Sequence, residues 1–408
     1  MQNKKRIHKP LTLERLFLLI ILTCLFFGAL NLFNRYYFCV YIAAIVFVFL
    51  PGRKLYINAA FFALLGLSLS ILLFDPNSRT MLTSMIKPFT YPLCYIMGTS
   101  LFIKDKEGAL GLEETAKSTA TIIYVLAGGA MAHFLLNMML NRNAVDRHVI
   151  DFWTRKEMSA TGQAALACLM IAVAVTFLFS KVGKRKKIIA ILALAFIVSY
   201  NLILAGRTIF SFILILVGVA LFYTFFVNKK QSVKIIVVVL LIAAALILCY
   251  QYNVFGIRNA VESSNFYNRF FGNSDGQQID EDNRMANKKV YLSYFVDYLW
   301  GGGHIRKVYG HYAHDLYLDT YDNAGIFALL AVLVYIILSL VRMVRCLKSK
   351  LLRFEARLLI ILVYLVCNIQ FWLEPILDGA PWLFASYCLI DGAITYLLSK
   401  EKRLQANA

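Results

Sequence analysis

The stretch RMANKKVYLSYFVDYLWGGGHIRKVYGHYAHDLYLDTYDNAGI, residues 284–326, is a polar island in an otherwise apolar sequence. It holds three of the six histidines and a run of three glycines at 301–303. Apolar segments long enough to cross a bilayer lie on both sides of it. A chain that lies mostly in lipid does not need these titratable groups for solubility. We therefore expect the chemistry to take place in this stretch, at one face of a membrane.

The composition indicates a membrane protein. Of the 408 residues, 60% are hydrophobic and only 16% are charged, and the mean hydropathy is +0.67. Soluble domains carry about a quarter charged residues. The net charge of +19 would suggest nucleic acid for a soluble protein, but in a membrane protein basic residues set topology. We therefore expect the protein to contact the lipid bilayer and not to bind nucleic acid.

The apolar segments predict an all-α integral membrane protein with about twelve transmembrane helices. A large extracytoplasmic loop separates spans nine and ten. This organisation gives a nine-span part at 1–250, a catalytic loop at 251–323 and a three-span part at 324–408. The predicted spans are 16–33, 36–50, 55–74, 81–103, 118–140, 159–179, 187–204, 208–227, 233–250, 324–345, 356–372 and 382–398.

The distribution of Lys and Arg predicts the orientation. One set of alternate loops contains 27 of these residues, whereas the short loops of the other set contain 8. Because basic residues favour the cytoplasmic side of short loops, both termini are expected in the cytoplasm, with 251–323 outside. The eight cysteines lie in or beside apolar runs without a CxxC pair, which predicts buried thiols and neither disulfides nor a metal site.

Arg207 is a candidate functional residue because it lies between two apolar runs, in LILAGRTIFSF, with almost no loop around it. An ionisable residue at the edge of a bundle is a functional hypothesis by default. The alternative is an arginine that only extends to the outer headgroups. Arg284 is a second candidate, and Lys288 would share its helical face as part of an anion clamp. The alternative for Arg284 is a surface salt bridge to Asp280 or Asp282.

His314 is the third candidate, as a general base or a hydrogen-bonding group. Its proximity in sequence to His304, His311 and Asp315 leaves a metal site open as a rival. The remaining alternative is that His314 is a loop histidine without a function.

The order of these residues resembles the superfamily of O-antigen ligases and O-antigen polymerases, glycosyltransferases of the bacterial envelope. The similar segments are AGRTIFSFILILVG, DNRMANKKVYLSYFVDYLWGGG and AHDLYLDTYDNAGIFALL, with a weaker similarity in NIQFWLEPILDGAPWLF. Two positions depart from the family pattern. The family often has Ser where this chain has Gly206, and Asn where it has Asp315.

The resemblance implies a metal-independent inverting glycosyltransferase without a cofactor, at the outer face of the bacterial cytoplasmic membrane. Its donor would be a glycan on undecaprenyl pyrophosphate, and its acceptor a glycan or lipid-linked glycan. Arg207 and Arg284 would bind the pyrophosphate, since a guanidinium engages two phosphate oxygens at once. His314 would take or orient the proton of the acceptor hydroxyl. Other envelope-polysaccharide assembly proteins would be partners, and polymerase and ligase remain equally open.

Two other classes compete with the enzyme. A transporter or flippase of lipid-linked sugars would need charges within its spans and paired broken helices, often within repeats, and the sequence is expected to have none of these. A structural membrane subunit would leave Arg207 and the histidines unexplained.

Overall fold

A computed structural model describes residues 12–50, 55–101, 108–142, 149–227, 247–263 and 280–407, with isolated positions between 229 and 267. The described part is almost entirely helical. Its α-helices are α1 (Leu13–Ala29), α2 (Tyr36–Val48), α3 (Ala59–Phe74), α4 (Leu82–Ile86), α5 (Thr90–Ser100), α6 (Gly108–Leu140), α7 (Ala160–Phe179), α8 (Lys184–Ile203), α9 (Thr208–Val227), α10 (Ile257–Glu262), α11 (Asp280–Ser293), α12 (His304–Tyr309), α13 (Leu316–Lys348), α14 (Phe354–Leu373), α15 (Ile376–Gly379) and α16 (Pro381–Ala406).

Seven of the described helices are long and apolar enough to cross a membrane, namely α6, α7, α8, α9, α13, α14 and α16. The shorter α2 and α3 are also apolar. The expected all-α membrane protein is therefore confirmed at this level. The described helices do not establish twelve spans, and the predicted span 233–250 lies largely outside the described residues.

The predicted span 81–103 is interrupted in the structure. A short 3₁₀ turn, Lys87–Phe89, separates α4 from α5. Pro88 explains the interruption, because its ring fixes the backbone and removes an N–H donor from the helical ladder. The hydroxyl of Ser68 donates to the Pro88 carbonyl at 2.8 Å, so the turn is tied to α3. An apolar run alone did not reveal this break.

The bundle is held together by close helix crossings. Gly98 of α5 and Gly392 of α16 face each other, and a Cβ on Gly98 would lie 2.9 Å from the Ala393 nitrogen. Small residues at such crossings let backbones approach closely, which is how membrane helices gain packing energy. α7 is buried along most of its length, whereas α8 and α9 expose aliphatic and aromatic side chains. These two helices therefore form a lipid-facing edge.

The connection between α6 and α7 contains a two-stranded hairpin, β1 (Val149–Ile150) and β2 (Glu157–Met158). The side chain of His133 in α6 forms a hydrogen bond to this connection, with 2.8 Å between His133 Nε2 and Asp151 Oδ2. Burial alone would raise the pKa of Asp151, but hydrogen bonds from His133 and the Thr154 backbone N–H lower that pKa to about 2. The hairpin is thus fixed to the helix end by an ionised carboxylate.

All eight cysteines are free thiols. Five are buried: Cys94, Cys168, Cys346, Cys367 and Cys388. The predicted burial therefore holds for these five thiols, whereas Cys24, Cys39 and Cys249 are partly exposed.

The helix after the polar stretch begins at Leu316, eight residues before the predicted span at 324. Asp315 caps it, since its side chain accepts from the Leu318 N–H at 2.7 Å. A carboxylate at this position satisfies an otherwise free backbone donor. α13 is broken at Gly325, where φ is 78° and ψ is −173°. The polar first two turns and the apolar remainder are therefore distinct segments of one helix.

Candidate functional site

The helix α11 lies along residues 311–315. Tyr291 donates its hydroxyl to the His311 carbonyl at 2.8 Å, and Asn287 donates to the Tyr312 carbonyl at 3.3 Å. Lys288 Nζ lies 3.1 Å from Asp315 Oδ2. Three residues on two successive turns of one helix thus hold the segment that contains His314.

Arg284 and Lys288 also reach the end of α14. Arg284 donates to the Leu373 carbonyl at 3.3 Å, and its Nη2 lies 3.4 Å from Glu374 Oε1. Lys288 donates to the Trp372 carbonyl at 3.1 Å. The two cations therefore share one face, as their spacing predicted. The ionic partner seen for Arg284 is Glu374. The side chains of Asp280 and Asp282, which the salt-bridge alternative named, lie outside the described part of the structure.

His314 has a left-handed backbone, with φ of 60°. Such a conformation is uncommon for a residue with a side chain. The Asp319 carboxylate supports it, because one oxygen accepts from the Ala313 N–H at 2.9 Å and the other from the Asp315 N–H at 3.0 Å. The backbone on both sides of His314 is thus fixed by one buried side chain. Strained residues that their surroundings hold in place often occur at functional sites.

The glycine run packs directly against the break in α13. Gly301, Gly302 and Gly303 all have positive φ, a conformation that glycine adopts without steric cost. A Cβ on Gly301 would collide with the Gly325 nitrogen, and a Cβ on Gly325 would lie 2.8 Å from the Leu299 carbonyl oxygen. Two backbones meet here without side chains between them.

Asp322 and Asp378 position α12. Asp322 accepts from the backbone N–H groups of Ile305 at 2.9 Å and Arg306 at 3.2 Å. Arg306 Nη1 lies 2.9 Å from Asp378 Oδ2, and its guanidinium lies 4.7 Å from the centre of the Tyr312 ring. Burial alone would lower the pKa of Arg306, but the nearby Asp378 charge outweighs it and raises that pKa.

A polar cavity of about 210 Å³ adjoins this cluster. We call it the Asp75–Asp378 cavity. Burial raises the pKa of Asp75, and the nearby Asp378 adds to the shift. The lining consists of polar, aromatic and small apolar side chains: Tyr36, Ile71, Asp75, Asn77, Ser78, Ser84, Lys87, Pro88, Tyr91, Thr320, Asn323, Ala324, Leu377, Asp378 and Pro381.

Arg207 lies in the turn between α8 and α9, half-buried, at the same end of the bundle. A Cβ on the preceding Gly206 would lie 3.2 Å from Ala160 Cβ at the start of α7. The next residue of α7, Thr161, accepts from Gln370 at 3.2 Å, one turn before Glu374. These contacts place the Arg207 turn near the end of α14 that Arg284 contacts.

The glycine at position 206 has a steric explanation. A Cβ there would collide with the Asn201 side chain, which donates to the Gly206 carbonyl at 2.6 Å. The local packing around Asn201 therefore favours a residue without a side chain at position 206.

The three histidines have different surroundings. The His304 ring stacks on Tyr298 with centroids 5.4 Å apart, His311 is exposed, and the His314 ring centroid lies 6.3 Å from that of Tyr312. Among the described residues, no group of three or more His, Cys, Asp or Glu side chains is arranged to hold a metal ion. The structure thus does not assemble the rival metal site within the part it describes.

Several site residues were not identified from the sequence: Asp75, Arg306, Asp319, Asp322, Asn323, Glu374 and Asp378. The weak similarity in NIQFWLEPILDGAPWLF was the available signal for Glu374 and Asp378. The aspartates of α13 follow His314 closely enough to have suggested a shared role.

These features define a helical membrane protein with a polar, charged cluster at one end of its bundle. Compared with known proteins, the chain matches no protein-family model and no curated protein.

Proposed function

We propose that this chain is a membrane glycosyltransferase that polymerises or ligates glycans from an undecaprenyl pyrophosphate-linked donor. The observation that carries the proposal is the position of α11. It places Arg284 and Lys288 beside the segment containing His314, at the end of the bundle where Arg207 and the Asp75–Asp378 cavity also lie. A pyrophosphate needs cations and a sugar needs polar groups, and this end of the bundle offers both.

The reaction is a displacement at the anomeric carbon of the donor sugar. The acceptor hydroxyl oxygen forms the new glycosidic bond as the bond to the pyrophosphate oxygen breaks, and configuration inverts. The hydroxyl proton passes to His314, and undecaprenyl pyrophosphate leaves with the bonding electrons. Arg207 and Arg284 stabilise the charge that develops on the leaving group. Acceptor hydroxyls are held by carboxylates and amides of the Asp75–Asp378 cavity, which accept hydrogen bonds.

The proposal includes about twelve spans in the bacterial cytoplasmic membrane, with both termini in the cytoplasm and the site outside. A tag inserted near Asp275 is then reachable from outside in intact cells, and a reporter after Ala408 behaves as cytoplasmic. A cytoplasmic tag at Asp275 contradicts this topology.

The experiment compares the size distribution of lipid-linked and mature glycans in cells with and without the protein. Loss of the protein is expected to shorten the glycan or leave it on its lipid carrier, and reintroduction restores it. His314→Ala is expected to fail to restore it, whereas His311→Ala restores it at equal protein levels. An unchanged distribution on loss of the protein overturns the proposal.

Two observations favour a transporter of lipid-linked sugars as a second candidate. α13 is broken at Gly325, and Arg342 and Asp391 form a buried ion pair between α13 and α16. Charges within spans and broken helices occur in transporters. Purified protein in liposomes separates the two, because a transporter moves a labelled lipid-linked sugar between leaflets without forming a new glycosidic bond.

A further inference from the structure

A second, larger cavity lies at the opposite end of α13 from His314. Its volume is about 730 Å³ and it lies between α3, α13 and α16. Arg342 follows the break in α13 at Gly325 by 17 residues, or about 25 Å at the rise of an α-helix. This cavity, which we call the basic cavity, is therefore separate from the candidate glycosyl-transfer site.

Four cationic side chains line the basic cavity, namely Arg342, Arg345, Lys348 and Lys402. Arg342 is neutralised, because it donates to both Asp391 oxygens at 2.7 and 2.5 Å. Glu401, the carboxylate among the described lining residues, accepts from the Ser349 hydroxyl.

The other three cations are not compensated in this way. Arg345, Lys348 and Lys402 are exposed, and none forms an ion pair with a carboxylate in the described part of the chain. They come from two helices and converge on one cavity. Even when the Glu401 carboxylate is counted against these three cations, the lining of the cavity carries a net positive charge.

The remaining lining is partly apolar and includes Ala59, Ala60, Leu338 and Leu398. Basic residues at this end of the bundle agree with the charge bias that orients membrane proteins. That bias does not require three cations from two helices to surround a cavity with apolar walls. A ligand with a phosphate group and a hydrocarbon chain matches both parts, and the volume falls within the range of ligand pockets.

We infer that the basic cavity binds a phosphate group, supplied by the headgroup of an anionic phospholipid from the surrounding leaflet. Arg345, Lys348 and Lys402 contact the phosphate oxygens through charge-assisted hydrogen bonds. The apolar wall contacts the upper part of an acyl chain, which favours a lipid over a soluble phosphate. This site does not depend on the glycosyltransferase proposal.

The test uses the full chain purified into nanodiscs of phosphatidylcholine containing a minor fraction of phosphatidylglycerol. Bound lipids are counted by native mass spectrometry. The variant carries Arg345→Gln, Lys348→Gln and Lys402→Gln. The matched control carries Lys181→Gln, Lys184→Gln and Arg185→Gln, which remove the same charge from residues outside the cavity. Thermal unfolding in phosphatidylcholine alone verifies that both variants are folded.

We expect the cavity variant to retain at least fivefold less phosphatidylglycerol than the wild type, with the control unchanged. A parallel titration with inorganic phosphate distinguishes the source. Phosphate binding that depends on the three cations, without preferential retention of phosphatidylglycerol, supports a soluble phosphate ligand and overturns the lipid assignment. Equal binding by both variants in both titrations overturns the site.

Discussion

The carboxylate of Asp319 fixes the backbone on both sides of His314. One oxygen accepts from the residue before the histidine at 2.9 Å, and the other from the residue after it at 3.0 Å. Because His314 has a positive φ, these two bonds hold it in a conformation that few residues adopt. The direction of the imidazole therefore depends on a side chain one turn into α13.

Asp319→Asn tests this dependence. The substituted amide keeps one acceptor but places an NH₂ group against a backbone N–H, so one hydrogen bond is lost. We expect a cost of about 1–3 kcal/mol in local stability and at least a tenfold fall in glycosyl transfer in membranes at equal protein levels. The control is Asp297→Asn, at an exposed position. Normal turnover by Asp319→Asn would show that Asp319 does not position His314.

Asp315→Asn separates a capping role from a catalytic role for the residue after His314. Asparagine caps helices as well as aspartate does, so we expect normal folding. Loss of the negative charge removes only the ion pair with Lys288 at 3.1 Å, and activity should stay within about tenfold, far from the effect of removing a general base. A loss of about 10²-fold or more, the lower end of what general-base catalysis contributes, would instead make Asp315 the base.

Gly301→Ala tests the contact between the glycine run and the break in α13. An alanine there has both an unfavourable φ and a collision with Gly325, for a combined cost of about 2–4 kcal/mol. Gly310→Ala is the matched control, because Gly310 also has positive φ but has open space around it. It should cost about 1–2 kcal/mol. Thermal unfolding of the purified variants measures both, and equal losses would contradict the packing argument.

Arg207→Lys tests the pyrophosphate role of the turn between α8 and α9. Lysine keeps the charge but loses the planar fork that binds two phosphate oxygens. We expect transfer to fall about 10²–10³-fold, measured in membranes with normal protein levels. Arg142→Lys, at an exposed position, should leave activity unchanged. Near-normal turnover by Arg207→Lys would reduce Arg207 to a topology marker.

Helical periodicity and apolar length predicted the helical membrane class and the shared face of Arg284 and Lys288. They did not predict the partners of these cations, since Trp372 and Glu374 are far away in sequence and only tertiary packing brings them near. The break of the span 81–103 at Pro88 and the early start of α13 at Leu316 were missed for a different reason. Both depend on local backbone chemistry that an average hydropathy does not register.

The Asp75–Asp378 cavity illustrates the same limit. Asp75 ends α3 and Asp378 lies in α15, so no sequence spacing connects them. Each looks like an ordinary loop carboxylate when read alone. Their common cavity becomes visible only once α3 packs against α13.

The most direct test of the central claim is glycan transfer by the purified protein from an undecaprenyl pyrophosphate-linked donor in excess EDTA. Under the proposed mechanism Arg207 and Arg284 stabilise the negative charge of the leaving pyrophosphate without a metal ion. We therefore expect the wild type and His311→Ala to form the new glycosidic bond. We expect His314→Ala to form none above background. Absence of transfer by the folded wild type, or restoration of an EDTA-inactivated enzyme by Zn²⁺ or Mg²⁺, would contradict the account.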